Sequence, residues 1–122
     1  MVDERQLSRG RYLLLSLLKD HEYPMKPGEI QKDMCTICKR LESSPFGFMP
    51  SGVSINRYRS NGLSEAIFLS YDAGLIDEED ERPYGYFLTD VGRRDIEELS
   101  ENQYILENGY IEEVHEAISK EL

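Results

Sequence analysis

Apolar positions along the chain repeat with two periods. In the first stretch Leu7, Leu14, Leu15 and Leu18 share a helical face, and Tyr12, Leu13 and Leu17 widen it. Asp3-Glu4-Arg5-Gln6 ahead of them has the form of a capping box, which predicts a helix start there and an end at Lys19 or Asp20. So wide an apolar face calls for cover on several sides, from its own domain or from a second subunit. A second helix follows the turn at 20–24. Pro27 suits its first turn and Glu29 its N-terminal dipole. Ile30, Met34, Ile37 and Leu41 make the cleanest amphipathic stripe in the sequence.

Residues 60–94 organise the rest. Ser60 or Asn61 can cap a helix whose buried face is Leu63, Ala66, Ile67, Ser70 and Tyr71. Gly74 sits where a helix needs a left-handed residue past its end. Leu75 and Ile76 open a strand, residues 77–83 make a charged turn, and Tyr84, Tyr86 and Leu88 alternate along a return strand. Thr89 or Asp90 then caps a helix reaching Asn108, with Ile96, Leu99 and Leu106 on one stripe. Asn108-Gly109 is a break. Tyr110, Val114, Ala117 and Ile118 mark a last amphipathic helix.

A helix followed by a β-hairpin is the recognition helix and wing of a winged helix-turn-helix. The expected class is α+β, mainly α: a winged helix-turn-helix with a β-hairpin wing and extra C-terminal helices. The recognition helix falls at about 61–73 and the wing at about 75–89. Residues 1–122 are expected to form one winged-helix domain, with its core in 1–100 and a C-terminal helix in 101–122. An insert near 43–59 is rich in Ser, Pro and Gly yet carries Phe46, Phe48 and Met49. It is expected to fold over the core, cover a pocket or meet a partner.

The Gly74-Leu75-Ile76 step and the run from Tyr86 through Leu88-Thr89 to Gly92-Arg93-Arg94 resemble PadR-like and MarR-like winged-helix transcription regulators. The resemblance covers roughly residues 11–100. It implies a DNA-binding transcription regulator whose C-terminal helices pair two subunits as a homodimer.

Charge changes this picture. The chain has 24 acidic and 14 basic side chains, a net charge of −10. Residues 1–60 carry ten Lys/Arg against seven Asp/Glu, and residues 61–122 carry four against seventeen. A strongly acidic chain is a poor non-specific binder of polyanions. Double-stranded DNA therefore needs a locally positive face. Arg57 and Arg59 precede the recognition helix, Asn61 and Ser64 lie in its first turn, and Arg82 is in the wing. These five are the candidate DNA contacts, with Lys26, Lys32, Arg93 and Arg94 near by. The alternative uses the same elements. Phe68 and Leu69 between Glu65 and Asp72, beside a wing reading Asp77-Glu78-Glu79-Asp80-Glu81-Arg82, suit a protein-interaction or adaptor domain with an acidic wing that binds no DNA.

Chemistry is not expected. The sequence has no Gly-rich phosphate loop, no His-Glu-x-x-His and no nucleophile elbow, so neither enzyme activity nor a cofactor is anticipated. Cys35 and Cys38 lack the second ligand pair that zinc requires, and His21 and His115 are far apart. No metal is expected, and the thiols read as small buried hydrophobes, Cys38 at the edge of the apolar stripe and Cys35 further out. No apolar run is long enough to span a bilayer and no signal peptide is apparent, which makes the cytoplasm the default compartment.

Overall fold

The computed structural model describes residues 4–21, 23–42, 45–46, 60–80 and 84–121. It is mainly helical, with one small antiparallel sheet. In order come α1 (Glu4–Asp20), α2 (Pro27–Leu41), α3 (Asn61–Asp72), β1 (Ile76–Glu78), β2 (Tyr86–Leu88), α4 (Asp90–Leu99), α5 (Gln103–Leu106), a 3-10 turn (Glu107–Gly109) and α6 (Tyr110–Ser119).

α1 is the centre of the core. Tyr12, Leu13, Leu14, Leu15, Leu17 and Leu18 are all buried, because α3, α4, α5, α6 and β2 each pack against this helix. The wide apolar face is thus covered from within the chain. Leu7 departs from the expected face and is 57% exposed. Arg5 and Arg9 tie the start of α1 to the far end of the chain. The Arg5 guanidinium donates to Glu107 Oε2 at 2.7 Å, and Arg9 donates to the Tyr104 carbonyl while lying 4.2 Å from the Tyr110 ring centre.

α2 starts as its sequence demands. Pro27 follows the N-cap, and the Glu29 carboxylate accepts from the Lys26 N–H at 3.3 Å. Its stripe of Ile30, Met34 and Ile37 is buried, and burial extends to Cys38 and also to Cys35, which the stripe had left further out. Just before α2, Met25 exchanges backbone hydrogen bonds with Tyr86, at 2.9 and 2.7 Å. That single bridge joins the α1–α2 connection to the sheet.

The α3–hairpin junction is a Schellman close. Gly74, at φ +79°, donates to the Tyr71 carbonyl, and Leu75 donates back to Ser70. Ile76 then pairs with Leu88, Asp77 with Phe87 and Glu78 with Tyr86. Ile76 and Leu88 are buried; Asp77 and Phe87 point outward. Asp77 and Glu78 are therefore strand residues, not part of the turn; the return strand begins at Tyr86, and just before it the Gly85 carbonyl accepts from the Glu79 N–H at 2.9 Å. Thr89 locks the base of the hairpin to α4. Its Oγ1 lies 2.6 Å from the Gly74 carbonyl and 2.9 Å from that of Leu75, and it accepts from the Gly92 N–H at 3.1 Å. Thr89→Ala is expected to lower stability by about 1–2 kcal/mol through the lost cap and cross-link. Denaturant unfolding measures this; an unchanged midpoint would mean that water replaces the hydroxyl.

The C-terminal part corrects two expectations. The helix from Asp90 does not reach Asn108, because α4 stops at Leu99 and Asn102 begins α5, its Oδ1 accepting from the Tyr104 N–H at 2.8 Å. Residues 101–122 accordingly hold two helices and a 3-10 turn rather than one C-terminal helix. Ile105 takes the core position and Leu106 is exposed. The break at Asn108-Gly109 is present, with φ of +51° and +71°. Beyond it Tyr110, Val114, Ala117 and Ile118 are buried as expected, but against α1 and α2 of the same chain. The apolar face of the last helix thus finds a cover within the chain.

Candidate functional site

α3 is fixed by its first residue. Ser60 caps it, Oγ accepting from the Leu63 N–H at 3.1 Å and donating to the Phe46 carbonyl at 2.5 Å. The Gln31 amide grips the same residue from α2. Its Oε1 accepts from the Ser60 N–H at 2.8 Å, and its Nε2 donates to the Ser60 carbonyl and to Ser64 Oγ at 3.3 and 2.9 Å. Gly62 is required at close quarters, since a Cβ there would overlap the Phe46 carbonyl. Neither Gln31 nor Phe46 stands out in the sequence as a positioning residue. A mid-helix glutamine carries no pattern of its own, and Phe46 sits in a stretch full of breakers.

The helix buries Leu63, Ile67 and Ser70 and turns Asn61, Glu65, Phe68, Leu69 and Asp72 outward. Phe68 is 63% and Leu69 50% exposed. Tyr71, expected on the buried face, is also exposed, although its ring stands edge-on to Tyr86 at 6.1 Å. Burial pushes the Tyr86 phenol above its ordinary pKa, with Glu78 and then Tyr71 adding to the shift. Of the five candidate DNA contacts, Asn61 is exposed in the first turn. Ser64 is half-buried and its hydroxyl is engaged by Gln31 and Ser60. Arg57, Arg59 and Arg82 lie outside the described residues, as does most of the 43–59 insert; its Phe46 is buried in the core.

Several arginines are committed elsewhere. Arg5 and Arg9 pair with Glu107, Arg11 with Asp95 at 2.8 Å and Arg40 with Glu121 at 3.0 Å. Burial raises the Asp95 pKa, opposed by Arg11 and aided by Glu98. Lys26, Lys32, Arg93 and Arg94 make no ion pair among the described residues. No cation lies on α3 itself.

Between α1 and α3 runs a groove of about 480 Å³, lined on one side by Leu7 and Gly10 and on the other by Glu65, Ala66 and Leu69, with Phe46 between them. Cys35 and Cys38 are buried and not disulfide-bonded. Among the described residues no group of three His, Cys, Asp or Glu side chains is placed to hold a metal ion, and no helix is long and apolar enough to cross a membrane. No family model matches the chain, and neither a curated protein nor a solved structure matches it.

Proposed function

We propose that this chain is a winged-helix domain that docks another protein through the outward face of α3. The winged-helix reading is supported by the order of helix, single bridge residue, helix, helix and hairpin, with Met25 bridged to Tyr86 on the open side of β2. The observation that carries the docking role is the face of α3. Phe68 and Leu69 are exposed large apolar side chains, flanked by the carboxylates of Glu65 and Asp72, with no cation on the helix. An apolar centre with a polar rim is the anatomy of a protein interface. A phosphate backbone would meet two carboxylates there and a further acidic run in the hairpin. Phe68→Ser is expected to weaken capture of a partner by tenfold or more, on the order of a hot-spot residue, while the melting temperature holds. Affinity capture with the bound protein identified, followed by thermal melting of the variant, tests this. A variant that unfolds would mean that Phe68 supports the core, and unchanged capture would remove the role.

A second reading, a DNA-binding transcription regulator, is favoured by Asn61, Lys26, Lys32, Arg93 and Arg94, exposed or without ion pairs among the described residues. It predicts duplex binding that weakens steeply with salt. The salt slope is expected to fall by about one unit for each phosphate-binding arginine removed in Arg57→Ala plus Arg59→Ala. Absence of duplex binding at low salt would exclude it as a general mode.

A further inference from the structure

The groove between α1 and α3 carries the docking reading further, on which this inference rests. Its volume of about 480 Å³ falls within the roughly 300–1,000 Å³ of ligand-holding clefts. Its base is apolar: Phe46 and Leu75 are buried, Ala66 is half-buried, and Gly10 leaves room for the Phe46 ring, which a Cβ would approach to 3.0 Å. One exposed leucine lines it from each helix, Leu7 from α1 and Leu69 from α3. Isolated exposed leucines are ordinary; two lining one apolar cleft form a continuous surface.

Charge selects the occupant. Arg11, the one cation lining the groove among the described residues, is already held by Asp95 at 2.8 Å. Glu65 lines the groove without an ion pair among the described residues, and Asp72 lies two turns further along α3 and is exposed. The exposed acids Asp77, Glu79 and Asp80 follow in the hairpin that packs on α3. A second copy of a chain with net charge −10 would be repelled, and so would a nucleic acid. We infer that the α1–α3 groove receives an amphipathic helical segment of a different, basic protein, its aliphatic side chains seated between Leu7 and Leu69 and its Lys or Arg side chains over Glu65 and Asp72. This is helix-in-groove recognition, with anchors at i, i+3 or i+4, and i+7, and with the charges setting orientation and on-rate.

The test uses the full chain and two short synthetic amphipathic helices of one pattern, Leu/Lys and Leu/Glu, followed by fluorescence anisotropy and by amide chemical shifts. The Leu/Lys peptide is expected to bind and to shift residues of α1 and α3 that line the groove, and the Leu/Glu peptide is not. Ala73→Phe adds bulk at an exposed position lining the groove, and Glu65→Lys reverses its charge. Each is expected to weaken the Leu/Lys peptide about tenfold or more, as loss of an interface anchor or of a charge match does, with thermal melting preserved. Phe68→Ser, outside the groove, is expected to leave peptide binding intact. Equal binding of both peptides, no loss with Ala73→Phe, or no binding at all overturns the inference; the last would follow if another part of the chain fills the groove. Failure of the peptides while a partner sensitive to Phe68→Ser is still captured removes the groove alone. A captured partner indifferent to Phe68 and Leu69 removes the docking reading itself.

Discussion

Leu14→Ala is expected to lower unfolding stability by about 3–4 kcal/mol, a large share of the roughly 5–15 kcal/mol typical of a domain. Leu14 has no exposed surface and lies on the one helix against which α3, α4, α5, α6 and β2 all pack. The cavity left by the removed carbons would be walled by several elements at once, so collapse of any one of them would fill little of it. Leu7→Ala removes the same atoms from the same helix and is expected to change stability by less than about 0.5 kcal/mol, because its side chain is 57% exposed. Guanidinium unfolding of the pair separates burial from helix propensity, which is common to both. Equal losses would place Leu7 under a cover as complete as that of Leu14.

Gly92→Ala is the second large effect, expected at about 3 kcal/mol. Alanine is the better helix former by about 1 kcal/mol, which works in favour of the variant. Against that gain, a Cβ at this position would overlap the Leu75 carbonyl and stand 2.6 Å from Leu88 Cδ1. The carbonyl belongs to the backbone and cannot rotate away, so α4 or the base of the hairpin has to move, at an overpacking cost near the upper end of about 1–3 kcal/mol. The shift also breaks the Thr89 cap, worth about 1 kcal/mol more. At this chain length the loss corresponds to about 10–15 °C in melting temperature. Calorimetry of the variant checks it, and a shift under about 2 °C would mean that α4 slides without penalty.

The helices were legible where one side of each is covered. Ile30, Met34 and Ile37 in α2 and the four buried residues of α6 follow the helical period because each packs in one direction. Gly74 and Thr89 were legible because a positive φ and a cap each demand a short list of residue types. Leu7 was misplaced because periodicity assigns the first turn of a helix to the same face as the rest, although the neighbours need not extend that far. Cys35 lies off the stripe and is buried all the same, as its reading as a small hydrophobe required, since burial on α2 spreads beyond its stripe. The division of α4 from α5 lay in Asn102, a favoured N-cap residue read through as helix interior. The Met25 bridge has no period to find, being one residue long.

The site was half legible. The outward Phe68, Leu69, Glu65 and Asp72 emerged from helical spacing alone, and the structure turns all four to solvent. Ser64 was taken for a surface contact because its partner, Gln31, is 33 residues away in sequence. The α1–α3 groove depends on Phe46 reaching across to Gly10 and Gly62, a tertiary contact that no local pattern encodes.

The Met25 bridge also decides which strand of the sheet is left open. β2 has neighbours on both sides, Met25 and β1, so β1 forms the outer border. That border is three residues long and reads Ile76-Asp77-Glu78. A short, negatively charged strand is a poor template for adding the strand of another molecule. What keeps that border from inviting a neighbour's strand is thus its brevity and two carboxylates, those of Asp77 and Glu78.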